Sequence, residues 1–171
     1  MRAFTLAELM AVVAIIGVLA TIAAVSYRKY INSARASEAV WMVNGIRAAQ
    51  EAYRAETLSY LKVSDDLEDY YPMATPGAKK VPWGGGTGTT ADKWRILNVA
   101  TDGAVMYGYA TVAGPPGEVN PGGLVVTTAF PDSAEPWYVV QAMGDIDGNS
   151  VFSHYVATSF SNEVFWRNEG E

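Results

Sequence analysis

Cysteine is absent from this 171-residue chain. Disulfides and thiolate metal centres are therefore excluded, and cysteine usage says nothing about redox compartment. Histidine is nearly absent too. His154 stands alone, with no second histidine and no cysteine to share a metal or a proton relay. No Ser-His-Asp or Cys-His arrangement can be drawn through it, and no catalytic constellation appears elsewhere. The glycines at 84–86 lack the Lys-Ser/Thr pair that a phosphate-cradling loop requires, and read as a flexible loop. Basic residues are in deficit, 12 Lys and Arg against 18 Asp and Glu, for a formal net charge of −6. That balance argues against nucleic-acid binding and suits a surface that must stay soluble.

Charge is also missing locally. Leu9 to Tyr27 (LMAVVAIIGVLATIAAVSY) carries none. As an α-helix this run spans roughly 28 Å, close to a bilayer's hydrocarbon core. A secretory signal peptide would have a shorter apolar region, a basic stretch before it and a small-residue cleavage site after it. Here only Arg2 precedes the run, and the helical pattern continues past it. A plain transmembrane anchor does not account for Glu8, because a carboxylate at the edge of an apolar helix is costly and calls for a partner. After Tyr27 the pattern turns amphipathic. Ala39, Met42, Val43, Ile46, Ala49 and Tyr53 recur at three- and four-residue spacing, with Glu38, Arg47, Glu51 and Arg54 opposite. One helix from about Phe4 to Glu56 is predicted, its first half buried by lipid or partners and its second half covering a sheet. Trp41 and Tyr53 are expected as core or rim packing.

The stretch Phe4-Thr5-Leu6-Ala7-Glu8-Leu9-Met10, continued by AVVAIIGVLA (11–20), closely resembles the N-terminus of type IV pilins and type II secretion pseudopilins. The resemblance covers about residues 3–57. It implies that a prepilin peptidase cuts between Ala3 and Phe4 and that the new N-terminus is methylated. Residues 1–3 are then a leader; the family usually has glycine where this chain has Ala3. The resemblance also gives Glu8 a role. The ammonium created at Phe4 of one subunit meets Glu8 of its neighbour in a helical array, in a low dielectric where opposite charges attract far more than in water. Such a pair would select the register of a docking subunit. The plain alternative is a helix-start carboxylate favoured by the macrodipole. Many pilins carry a proline near the end of the apolar run and melt the helix between a glycine and that proline. This chain has Ile22-Ala23-Ala24-Val25-Ser26 there, so Ala14–Val25 is expected to stay helical, with Gly17 as the weak point. Arg28, Lys29 and Arg35 follow the span, which by the positive-inside rule alone would leave the C-terminal side in the cytoplasm. The resemblance implies the reverse, with the globular part outside.

Residues 58–93 read as a long connection. Within it Asp65, Asp66, Glu68 and Asp69 form an acidic patch, either a solvated turn or a contact with Lys79 and Lys80 of a neighbouring subunit. From 94 to 171 the pattern is β. Candidate strands are 104–113, 123–130, 137–143, 151–159 and 163–168, separated by Pro-Gly and Asp-Gly signals. Successive hairpin-like connections predict an antiparallel sheet with its apolar face on the helix, an α+β fold. Pilins often staple the C-terminal region with a disulfide, so another device must hold residues 130–171 here. Asp145, Asp147 and Asn149 place oxygen side chains at alternate positions, as calcium loops do. No acidic residue stands at the twelfth position, which is Val156, so this is not an EF-hand. The two readings are a calcium site and a tight β-turn stabilised by its own Asp and Asn side chains.

These features predict a structural subunit rather than an enzyme. It would be a major pilin with sections 4–27 (lipid- or filament-buried helix), 28–57 (amphipathic helix), 58–93 and 94–171. Its partners would be further copies in a helical filament, the inner membrane before assembly, the prepilin peptidase and the assembly machinery, with no nucleic acid. The alternative is a pseudopilin or minor pilin, which would be periplasmic or at a filament tip rather than forming an extracellular pilus.

Overall fold

A helix of 52 residues, α1 (Leu6–Thr57), dominates the computed structural model, which describes residues 5–125 and 130–169. Its sequence explains its length. No proline interrupts it, and Ala, Leu, Ile, Met and Val supply most of its first half. Thr5 caps the N-terminus. At the other end Leu58 takes a left-handed conformation (φ 62°) and donates its N–H to Arg54 O at 2.8 Å. The rest of the chain forms β1 (Val81–Pro82), α2 (Thr89–Ile96), β2 (Ala104–Val105), β3 (Gly108–Gly114), β4 (Trp137–Gly144), β5 (Ser153–Thr158) and β6 (Ser161–Arg167). β1 and β2 form a two-residue antiparallel ribbon, and β3-β4-β5-β6 is an antiparallel sheet in sequence order. The architecture is α+β, as predicted.

The register sorts the sheet's side chains. Tyr109 lies opposite Ala142, and Ala142 opposite Tyr155. These residues, with Tyr138, Val140 and Ala157, face α1 and pack on Ala36, Ala39, Met42, Val43 and Ile46. The expected stripe therefore holds from Ala39 to Ile46. Ala49 and Tyr53 reach the same core only partly buried, and Trp41 stands at the rim, 57% exposed.

The opposite face of the sheet is also dry. Ala110, Val112, Trp137, Val139 and Val156 pack there under Leu67 and Tyr70, with Val119, Leu124, Phe130 and Phe165 partly buried around them. The sheet is thus the middle of three layers: helix, sheet, and a covering of irregular chain drawn from both sides of β3. That explains why β3, β4 and β5 are almost continuously buried instead of alternating.

Several boundaries differ from the sequence reading. The stretch 104–113 divides, because residues 104–105 turn aside to pair with β1 while Gly108 begins the main sheet. A Cβ on Gly108 would sit 2.9 Å from Met73 O, so the chain passes there with no room for a side chain. Of the expected strand 123–130, residues 123–125 and 130 are not strand and 126–129 lie outside the described residues. Gly122 and Gly123 are the cause: consecutive φ values of 68° and 67° cannot belong to an extended strand. The other strands appear within two residues of expectation. The connection 58–93 is less irregular than predicted. It contains β1 and the start of α2, and it is packed by its own aromatics. Tyr71, Trp83 and Trp94 form mutual ring contacts at centroid distances of 5.0–6.0 Å, and Trp83 Nε1 donates to Val99 O at 2.9 Å.

With no disulfide, two buried glutamines hold the layers. Gln50 on α1 grips the chain leaving the helix. Its Nε2 donates to Leu61 O at 2.9 Å and Thr111 Oγ1 at 3.2 Å, and its Oε1 accepts from Leu61 N at 3.0 Å. Gln141 on β4 does the same on the other face. Its Nε2 lies 2.8 Å from the Tyr70 hydroxyl, 3.1 Å from Gly123 O and 3.2 Å from Leu67 O, and its Oε1 accepts from Val125 N at 3.2 Å. One side chain therefore ties both covering segments to the sheet.

Candidate assembly site

Every residue of α1 from Leu6 to Tyr27 is exposed. Eleven large apolar residues between Leu6 and Val25 are exposed, with Leu6 at 77% and Ile15 at 59%. Hiding one such side chain from water is worth about 1.5–3 kcal/mol. Together they represent roughly 15–30 kcal/mol, which matches or exceeds the whole stability of a typical domain. A surface of that size needs lipid or other protein around it. The helix is long and apolar enough to cross a membrane. It runs without interruption through Ala14–Val25, where proline is absent. Gly17 costs a helix about 1 kcal/mol relative to alanine. Nothing within this chain requires it, since an added Cβ would meet no atom within 4 Å.

Glu8 stands at the tip of this rod. Its Oε2 accepts from Thr5 N and Thr5 Oγ1, both at 2.8 Å, while Glu8 N donates to Thr5 Oγ1 at 3.3 Å. This is a capping box, which satisfies two of the helix's free N–H groups reciprocally. In the single chain Glu8 thus takes the helix-start role. Ala3 and Phe4, the predicted cleavage bond and the predicted partner of Glu8, lie outside the described residues. Thr5 escaped the sequence reading, although Thr-x-x-Glu ahead of an apolar run is a recognised signature of a helix start.

The three residues weighed for calcium form a self-contained turn. Asp145 Oδ1 accepts from Gly148 N (2.8 Å) and Asn149 N (3.1 Å), and its Oδ2 accepts from Ser150 N (3.2 Å). Asp147 Oδ1 accepts from Asn149 N, its Oδ2 from Asn149 Nδ2, and Asn149 Oδ1 from Val151 N. Arg35 reaches in from α1 to Ile146 O at 3.3 Å. A hard cation needs oxygen lone pairs converging on one empty point. Here they point at N–H groups of the turn itself, so these residues as arranged do not fit a calcium ion. Millimolar calcium is accordingly expected to leave the melting temperature unchanged; a rise of several degrees would restore the metal reading.

The acidic patch likewise folds on itself. Asp66 Oδ1 accepts from Glu68 N and Asp69 N, and Asp69 Oδ2 accepts from Asp65 N and Thr90 Oγ1. Lys80 is paired with Glu38 of its own chain at 3.2 Å. His154 is buried on β5 opposite Arg167 of β6, and among the described residues its Nδ1 has no hydrogen-bond partner. Burial first, and then the charge of Arg167, push its pKa below 6.5. The folded state therefore binds this proton less readily than the unfolded chain does. The associated stability is complete above about pH 6.5 and declines as pH falls toward the lowered value. His154→Gln should lose less stability than wild type between pH 7 and 5 in paired denaturation curves; parallel losses would contradict this.

Against known proteins, the chain is 38% identical over 74 residues to a fimbrial protein of Moraxella nonliquefaciens. The alignment covers 43% of this chain and 48% of that protein, so the chain matches about half the length of this curated relative. No protein-family model and no solved structure matches the chain. The molecule is thus an α+β protein with a protruding apolar helix, and its sequence is similar in part to that of a fimbrial protein.

Proposed function

We propose that this chain is a filament subunit, the major pilin of a type IV pilus. The observation that carries the reading is the unburied half of α1. A rod of exposed apolar side chains extends from a well-packed globular part that does not cover it. Such a rod suits lipid first and then the same rods of other copies, since either environment removes its surface from water. The partial identity to a fimbrial protein supports the same conclusion. In this reading the peptidase cuts between Ala3 and Phe4, and the Phe4 ammonium of an incoming subunit replaces Thr5 as the partner of Glu8. The unbroken helix supports the reading that Ala14–Val25 stays helical in the filament as well.

The test is to shear filaments from the native host and identify the subunit by mass and N-terminal sequence. Abundant filaments built of a chain beginning at Phe4 are the expected result. Their absence beside a short periplasmic assembly would turn the reading to a pseudopilin or minor pilin. A freely soluble chain retaining Met1 would defeat both.

A further inference from the structure

A backbone nitrogen can attack the side chain of the residue before it when that residue is Asp or Asn. Glycine is the best attacking residue, because without a Cβ its nitrogen is open and its backbone turns freely. The sequence offers three such pairs: Asn44-Gly45, Asp102-Gly103 and Asp147-Gly148. In an unfolded chain Asn44-Gly45 reacts first, since a neutral amide is an easier target than an ionised carboxylate. The fold reverses that order.

Asn44 and Gly45 lie inside α1, where the Gly45 N–H is spent on the helical bond to Trp41 O and the backbone is fixed. The Asn44 amide is engaged as well: its Nδ2 donates to Val40 O at 3.0 Å and its Oδ1 accepts from Arg47 Nη1 at 3.4 Å. Asp147-Gly148 is locked in the turn described above. Gly148 N donates to Asp145 Oδ1 at 2.8 Å, and both carboxylate oxygens of Asp147 accept from Asn149. Asp102-Gly103 has none of these restraints. Both residues are exposed, in the bend between α2 and β2. Among the described residues, neither the Asp102 carboxylate nor the Gly103 N–H has a hydrogen-bond partner. Thr101 Oγ1 does bond Gly103, at 2.6 Å, but through its carbonyl, which leaves the nitrogen untouched. An added Cβ on Gly103 would meet nothing within 4 Å, so the space around it is open.

We propose that Asp102-Gly103 is a site of isoaspartate formation, the one of the three pairs that the folded chain leaves reactive. The lone pair of Gly103 N attacks Cγ of the protonated Asp102 side chain. A C–N bond forms, the Cγ–OH bond breaks, and the hydroxyl leaves with the N–H proton as one water. Water then adds to the cyclic imide. Opening at Cγ restores aspartate. Opening at the main-chain carbonyl gives isoaspartate, in which the chain runs through the side-chain carbons. No atom is gained or lost overall. The extra main-chain carbon falls where there is little slack. Ahead of the bend Val99 O accepts from Trp83 Nε1 at 2.9 Å; beyond it Ala104 and Val105 pair with Pro82 and Val81. Both ends are thus tied to the same stretch of chain, so the modification loosens the β1–β2 ribbon and the Val105 amide exchanges faster.

The experiment holds the full-length chain, folded in detergent micelles, in water carrying a heavy oxygen isotope at physiological pH and temperature. Peptides are then made in ordinary water and weighed. Imide opening leaves one heavy oxygen in either product, and an isoaspartate-specific methyltransferase counts the isomer. A urea-unfolded sample sets the clock. In the folded chain, label and isoaspartate should collect at Asp102 and not at Asn44 or Asp147. Gly103→Ala has room for its Cβ and should fold normally, yet slow the labelling roughly tenfold by crowding the nitrogen. Asp102→Glu, which cannot close the five-membered ring, should abolish it. Label appearing first at Asn44 or Asp147 of the folded chain would overturn the proposal. So would an unlabelled Asp102 after the unfolded chain is fully labelled there, or a Gly103→Ala chain labelled as fast as wild type.

Discussion

Glu8→Ala is expected to leave the chain in the membrane while nearly abolishing filament assembly. The substitution removes the carboxylate at the edge of the apolar run, so insertion becomes no harder. It also removes the capping box with Thr5, a loss of about 1 kcal/mol at one end of a long helix. Assembly suffers far more. An incoming Phe4 ammonium would be buried among apolar helices with nothing to neutralise it, and breaking a buried ion pair on one side costs about 3–5 kcal/mol. That corresponds to roughly a hundredfold to a thousandfold in docking equilibrium. Glu8→Gln separates the two roles. Its amide oxygen can still accept from Thr5, so the cap survives, but it offers no charge to the ammonium. Piliation of both variants is measured by shearing and quantifying filaments, with membrane fractionation as the control. If Glu8→Gln assembles like wild type while Glu8→Ala does not, capping rather than ion pairing is what assembly needs.

The rod was legible because its determinants are local. A charge-free run and a carboxylate four residues after Phe4 can be read along the chain, and so can a stripe of apolar residues at helical spacing. The strands of the β3–β6 meander were legible for the same reason, each carrying β-branched or aromatic residues between turn signals. Other features are set by distant contacts. Pro121-Gly122 signals a turn, but nothing nearby reveals that Gly123 stays left-handed as well instead of opening a strand. That conformation lets it lie against Glu68, where an added Cβ on Gly123 would meet Glu68 Cγ at 2.7 Å. α2 is only eight residues long and its N-cap is Gly88, which supplies no side-chain cap; so short a helix owes its stability to burying Trp94 rather than to its own sequence. The Asp145–Asn149 turn is ambiguous in sequence for a related reason. Alternating Asp and Asn residues can aim their oxygens at a cation or at backbone donors, and the composition of the loop is the same in both cases.

Gln141→Leu should cause the largest loss of stability outside the apolar core, although it makes the sequence more hydrophobic. Leucine nearly matches the volume of the glutamine it replaces, so no large cavity opens. The damage comes from the groups left behind. The two N–H bonds of Nε2, shared among the carbonyls of Leu67 and Gly123 and the Tyr70 hydroxyl, are lost, and the N–H of Val125 loses its acceptor, in a region where Gln141 itself is fully buried. Each buried polar group left unpaired costs on the order of 1–3 kcal/mol, and relaxation of the covering segment toward water would recover part of this. A net loss of on the order of 3 kcal/mol is expected in chemical denaturation. The same substitution should free the covering layer, so that amides of Leu67 and Val125 exchange with solvent faster while those of Ile46 on α1 hardly change. Gln50→Leu is the matching control on the helix side and should loosen Leu61 instead. If Gln141→Leu proves neutral, or if exchange rises equally throughout the sheet, then the second layer is held by its apolar contacts and the glutamine is incidental. In a chain without a disulfide, the difference between these outcomes decides what keeps the C-terminal half of the molecule closed.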